Sequence, residues 1–396
     1  MKLSQKKLLQ TKCVLFLTLW MVFLAAKVAA QDDAGTIEKF TRPGATPPIP
    51  ISISGFTGEA EEVIKFDLYV QGFMFTTPEA AQFILTGNNN GSLTARAQDR
   101  ITKEYKINKT YTDANIRRLA HVFVDDFLQA LGRKGIGRSR IAFKTGSGLQ
   151  SEIAVADFDG ANRQVITHDN SIVAAPSWVP GRLALVYMSQ KSGPSQILNH
   201  DLGSGSRSVV ARKPGSNISP VVSPDGSKVA LIMDYNGNPD LCVANMDGSG
   251  VRQLTKAPML ASSPCWSPKG DTICFAGKKD NRRLLWKISA AGGSPERISV
   301  GGVPNPTEPD WSPDGEWIVF TSQTRSFDIC VVPAKGGAAT PLVAGEDPSW
   351  GPNSRTVIYA RRSGDGRRLS MLDVPTKQTK DISRISGSNS QPSWAK

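Results

Sequence analysis

Apolar and polar positions follow one grammar over the last two thirds of the chain. A proline stands two residues before a tryptophan or valine at 176/178, 220/222, 264/266, 309/311, 348/350 and 392/394. The prolines are 44, 44, 45, 39 and 44 residues apart. After each Pro-x-Trp comes Ser-Pro-Asp-Gly or a relative, in which proline presets φ for a turn and Asp and Gly tolerate its tight end. A β-rich run follows at once: 183–188, 229–233, 272–276, 317–321 and 356–360. A third strand such as Asp240–Val243 or Asp328–Val331 leads through Asp-Gly or Gly-Gly to a fourth, such as 252–255 or 296–299. Four short antiparallel strands in a unit of about 40–50 residues predict a propeller blade.

The ends of the array complement each other. Residues 140–168 carry a second, third and fourth strand without a first, and the chain stops on Pro392-Ser393-Trp394, a first strand with nothing after it. Joined, they make a sixth blade and seal the ring, which removes exposed sheet edges. The tryptophans Trp178, Trp266, Trp311, Trp350 and Trp394 are expected as core between blades.

Upstream the pattern changes. Pro47 and Pro48 introduce an alternating strand from Ile49, then a helix over Glu59–Gln71 stopped by Gly72, strands near 83–86, 92–98 and 103–111, and a helix over Asp113–Leu131 with Asp113 as N-cap. The predicted architecture is a small α+β domain over residues 31–137, followed by an all-β six-bladed propeller over 138–396 closed by the C-terminal strand. His121 and Asp125, at i and i+4 on the second helix, are expected to face solvent or the other domain, since no third ligand or nucleophile can be placed beside them.

At the start of the chain, Lys2, Lys6, Lys7 and Lys12 precede an apolar run from Val14 to Ala26, and Val28-Ala29-Ala30 supplies small residues for a peptidase. This is the pattern of a signal peptide over 1–30, and it implies export. The whole chain of 396 residues has 47 Lys and Arg against 35 Asp and Glu; removing residues 1–30 takes five lysines and no acid, leaving +7. No basic run is interleaved with aromatics, so nucleic acid is not an expected partner. Four cysteines remain after processing. Cys242 and Cys330 occupy the same strand position two blades apart and cannot pair. Cys265 and Cys274 flank one hairpin symmetrically, as a disulfide or as two buried thiols.

Enzyme chemistry has little to stand on. There is no Gly-x-Ser-x-Gly and no further α/β domain to carry a triad, and the three histidines, His121, His168 and His200, are far apart with no paired Cys-x-x-Cys. No cofactor or metal is expected; a channel cation on Glu308, Glu346 or Asp347 has no supporting loop motif. The rival readings are a propeller hydrolase and a glycan-binding module, the latter requiring aromatics at the mouth.

The propeller with its Ser-Pro-Asp-Gly copies and Gly292–Ser299, joined to Pro48–Ile53, the Arg118–Phe127 helix with its Ala-His-x-x-x-Asp, and the export signal, resembles the TolB family, periplasmic propeller proteins of the Tol-Pal system of Gram-negative bacteria. Between Gly72 and Asp113 the chain is abbreviated relative to that family. The resemblance implies a monomeric periplasmic scaffold that supports outer-membrane integrity and cell division. It would bind the peptidoglycan-associated lipoprotein Pal at the propeller mouth and TolA through the N-terminal end, Gln31–Phe40. The loops before each Pro-x-Trp strand should rim that mouth: Ser216, Asn217 and Ser219; Ser262 and Ser263; Asn305, Thr307 and Glu308; Glu346 and Asp347; Asn389 and Gln391. The family's partner-binding loops match best at Ser216–Ser219 and Ser262–Ser263.

Overall fold

The computed structural model describes residues 40, 42–235, 237–256 and 259–396. The expected signal peptide and nearly all of Gln31–Phe40 lie outside the described residues.

The N-terminal part is a five-stranded sheet under two helices. Its strands are β1 (Ile49–Ser54), β2 (Phe73–Phe75), β3 (Phe83–Asn88), β4 (Leu93–Asp99) and β5 (Tyr105–Tyr111), in the order β2-β1-β3-β4-β5. β1 runs parallel to both β2 and β3, and the rest is antiparallel. The parallel pair β1 and β2 needs a crossover. Helix α1 (Gly58–Tyr69) supplies it, with Glu59 and Glu61 in its first turn. Gly72 ends the segment at φ +89°, where a side chain would also run into Arg355 of the propeller. Helix α2 (Ile116–Ala130) turns Leu119, Ala120, Phe123, Val124, Phe127 and Leu128 onto Val63, Ile64, Leu68 and the sheet residues Ile51, Leu85 and Ala95.

One expectation is corrected here. The N-cap of α2 is Asn115, whose side chain accepts from the Arg118 N–H at 3.0 Å; Asp113 sits two residues earlier and accepts the Asn115 N–H instead. His121 and Asp125, expected to face solvent or the other domain, take separate partners on the propeller side of the helix pair. His121 is buried against Asp67 of α1 at 2.6 Å, and Asp125 accepts the Gly137 N–H at 2.9 Å where the chain leaves for the propeller.

Six four-stranded antiparallel sheets form the propeller. Their inner strands are Val173–Trp178 (blade 1), Asn217–Val222 (blade 2), Ser262–Trp266 (blade 3), Pro306–Trp311 (blade 4), Glu346–Trp350 (blade 5) and Asn389–Trp394 (blade 6). In blade 6 the C-terminal strand pairs with Arg140–Ser147, Trp394 lying opposite Ile141, so first and last segments close the ring as the repeat implies.

Blade-to-blade contacts are largely the tryptophans. The Trp266 indole donates to the Val221 carbonyl at 2.9 Å and the Trp178 indole to the Ser393 carbonyl at 3.1 Å, each reaching the preceding blade. Side chains between the proline and the tryptophan repay the contact. Ser177, Asp310 and Ser349 accept the backbone N–H of Val222, Trp350 and Trp394 respectively, in the next blade. The other indoles bond locally where they bond: Trp394 donates to the Ser139 hydroxyl at the start of its own blade, and Trp311, half-buried, donates to Gly315 of its own turn.

Candidate functional site: the upper mouth of the propeller

Proline has no N–H to give to a ladder, so an inner strand that contains one must bulge. Every inner strand does. In each blade the register to the second strand shifts at the proline, as between Ser262↔Ala276 and Cys265↔Cys274. The residue before each proline then takes a left-handed backbone: Ala175 (φ +52°), Ser219 (+51°), Ser263 (+48°), Glu308 (+51°), Asp347 (+54°) and Gln391 (+50°). Pre-proline residues ordinarily stay extended, and a non-glycine residue held left-handed costs about 1–3 kcal/mol. Six such residues, one per blade, form a ring where the inner strands begin.

Part of this ring is locked by relay. The Glu308 carboxylate accepts the Asp347 N–H at 3.0 Å, the Asp347 carboxylate the Gln391 N–H at 3.0 Å, and the Gln391 amide oxygen the Ala175 N–H at 3.0 Å. The relay stops there, because the Ala175 methyl accepts nothing. Ser219 and Ser263 follow with short side chains. The mouth is therefore asymmetric, with carboxylates over blades 4 and 5 and small residues over blades 1 to 3. Burial, and then the Glu308 charge, push the Asp347 carboxyl up to about 7 against the opposing pull of the Gln391 N–H.

The remaining mouth residues divide by burial. Ser216 and Asn305 are exposed; Ser262 is half-buried. Thr307 is buried, and Glu346 is held by the Arg367 guanidinium. Asn217 and Asn389 occupy the same repeat position, three residues before the proline, and are 0% and 1% exposed. The Asn217 amide donates to the Ser195 and Lys213 carbonyls and accepts the Lys213 N–H, and the Asn389 amide donates to the Ser386 and Gly387 carbonyls. Both amides are buried and bonded to loop carbonyls, Asn217 also tying its loop to the tip of blade 1.

The inner strands end at the other mouth, where a cavity of about 790 Å³ is lined by the Pro-x-Trp segments with Arg138, Arg140 and Arg182. The Lys396 ammonium crosses it to both Asp310 oxygens at 2.7 Å. The N-terminal domain attaches at this lower end: Thr356 donates to the Val70 carbonyl at 3.2 Å, Gln378 to the Phe73 carbonyl at 3.1 Å, and Arg117 pairs with Asp159. The His121 ring also meets Phe158 at 5.4 Å. Phe40 stacks on Trp317 at 5.2 Å, so the end of the candidate N-terminal segment rests on blade 4. The upper mouth points away from all of these domain contacts.

Cys265 and Cys274 lie opposite each other as register partners and are free, buried thiols. Among the described residues, no group of three or more His, Cys, Asp or Glu could hold a metal ion, and no helix is long and apolar enough to cross a membrane.

The sequence reading missed the left-handed ring, because no glycine or asparagine marks those positions. The proline recurring at one position of every inner strand, where a ladder must bulge, was the available signal.

Comparison with known proteins agrees with this architecture. Residues 127–396 match the family model described as the TolB beta propeller domain. The chain is 28% identical over 288 residues to the Tol-Pal system protein TolB of Bordetella pertussis, a match covering 72% of this chain and 66% of the relative. The Bordetella parapertussis protein of the same name is also 28% identical over 288 residues, with 72% of this chain and 65% of the relative covered. The chain thus spans just under two thirds of the length of these relatives. The crystal structure of TolB from Acinetobacter baumannii superposes with a TM-score of 0.80 at 21% identity, covering 90% of this chain and 98% of that one, a likeness of fold.

Proposed function

The chain belongs to the TolB β-propeller family, and from that membership we propose that it is a periplasmic, non-enzymatic scaffold of the Tol-Pal envelope system. In this reading it holds a Pal-like peptidoglycan-associated lipoprotein at the upper mouth and reaches TolA through its N-terminal end. The observation that carries the reading is the ring of six left-handed residues. Strained backbone repeated in every blade is maintained against a cost, and such strain gathers where a protein clamps a ligand. A rigid ring of preset donors and acceptors lets a partner dock with little ordering cost on this side. The opening is also unobstructed by the N-terminal domain, which engages the other end of the blades.

The test is capture of the Pal-like lipoprotein of the same organism by the purified mature protein and by Ser219→Glu/Ser263→Glu. Glutamate already occupies this repeat position, with the same backbone, at Glu308 (φ +51°), so the double variant should keep the wild-type melting temperature. Capture should fall by at least about tenfold, the effect of about 1.4 kcal/mol. Undiminished capture by the folded variant removes the upper mouth as the site.

A further inference from the structure

We propose that the rim of the upper mouth over blades 3 to 5 is a docking surface for an acidic segment of a protein partner. The hairpins joining the second and third strands of each blade project at this mouth, since the second strand runs back from the lower end. In blade 3 the ladder sets Lys278 opposite Arg283 and Lys279 opposite Arg282; in blade 5 it sets Arg361 opposite Arg368 and Arg362 opposite Arg367. Like charges directly opposite across an antiparallel pair are destabilising. The blade 3 hairpin, with all four cations exposed, keeps two such pairs at a cost to the fold; in blade 5 an acid offsets one member of each pair.

On the blade 4 tip, between them, Arg325 stands exposed. The three tips, 278–283, 323–327 and 361–368, together hold nine cations against two acids, Asp280 and Asp365, a surplus far too large to be self-neutralising. Arg361 pairs with Asp381 and Arg367 with Glu346. The four cations of the blade 3 tip are all exposed. The tips of the opposite half differ: 146–150 carries no charge, and Lys191 is paired with Asp169.

The surface fits a protein better than a lipid layer. No large apolar side chain stands exposed on the three tips for insertion into a bilayer. A flat anionic surface would also bring its phosphates over the Glu308 carboxylate at the centre of the same blades. An acidic segment can follow the arc of cations while the rest of its protein fills the mouth. The inference rests on the reading of that mouth as a protein-docking site.

The experiment uses the full mature chain and a fluorescent (Glu-Gly)₁₀ peptide, read by anisotropy, with phosphatidylglycerol vesicles and a (Ser-Gly)₁₀ peptide in parallel. The acidic peptide should bind at about 50 mM salt and weaken steeply by about 300 mM, where screening shortens to a few ångströms. Lys278→Gln/Lys279→Gln/Arg282→Gln/Arg283→Gln should weaken it at least about fivefold, and Arg362→Gln/Arg368→Gln should weaken it as well. Lys134→Gln/Arg182→Gln/Lys269→Gln/Lys335→Gln, four cations away from this rim, should leave it within about twofold. The blade 3 variant should melt no lower than wild type, because its like-charge pairs are relieved. The proposal is overturned if the acidic peptide does not bind, if the rim variants bind it as wild type does, or if the distant variant loses as much. It is overturned equally if the vesicles bind through the rim and the peptide does not. Ser219→Glu/Ser263→Glu leaves these cations in place, so failure of lipoprotein capture at the mouth and failure of peptide binding at the rim are read separately.

Discussion

Trp394→Ala tests whether the last few residues seal the ring. Trp394 is 2% exposed, stacks near Phe158 at 6.3 Å, donates its indole N–H to Ser139 at 2.8 Å and its backbone N–H to the Ser349 hydroxyl at 3.2 Å. Truncating a buried aromatic to alanine costs about 3–5 kcal/mol, and losing the indole hydrogen bond adds about 1 kcal/mol. Trp311 is the internal control. It holds the same repeat position in blade 4 but is half-buried and bonded to its own turn, so Trp311→Ala should cost about 1–2 kcal/mol by its smaller loss of buried surface. In a domain of this size each kcal/mol lowers Tm by about 2–4 °C, so calorimetry should show a drop of about 10 °C or more for Trp394→Ala and only a few degrees for Trp311→Ala. Hydrogen exchange should show the inner strand of blade 6 opening in the first variant alone. Equal losses in the two variants, or an unaffected Trp394→Ala, would refute the closure.

Asp347 gives a pH signature. Its carboxyl is raised to about 7 in the folded protein, so the folded state holds a proton that the unfolded chain releases near pH 4. Stability is therefore lost as pH rises between about 4 and 7, and Asp347→Asn should remove that slope, matching wild type near pH 4 and exceeding it at pH 8; denaturant midpoints across this range decide it, and an unchanged slope contradicts the burial argument. The thiols give a second readout. Burial pushes the Cys242 thiol up to about 11, the Cys330 thiol up to about 12 and the Cys265 thiol well above its ordinary value. With Cys274 buried as well, an aromatic disulfide reagent should label none of the four in the native mature protein and all four in denaturant; rapid native labelling, or two thiols missing after denaturation, would contradict free buried cysteines.

The repeat made the propeller legible because each blade must solve the same packing problem with the same residues. Pro-x-Trp marks the inner strand, Ser-Pro-Asp-Gly the turn, and the unmatched Pro392–Trp394 the closure. The register of Cys265 with Cys274 followed from their symmetric placement about one hairpin. Features that depend on partners distant in sequence were not legible. Asp67 meets His121 across two helices, a partner that no local i, i+4 spacing could supply. Asn217 and Asn389 read as loop residues, yet their buried amides tie down loop carbonyls, Asn217 reaching Ser195 of blade 1 as well, a role set by three-dimensional closure. Strand β2, three residues long, is too short for any alternation to declare it. The opposed cations of blades 3 and 5 become visible only when the register places them face to face.

The most direct measurement of the central claim is site-specific photocrosslinking in the cell envelope. A photoreactive residue in place of Ser263, at the upper mouth, should form an adduct with a Pal-like lipoprotein, and the same residue in place of Lys269, where blade 3 turns at the lower mouth, should not. An adduct from Lys269 alone, or none from either position while the protein is folded and exported, would contradict the account.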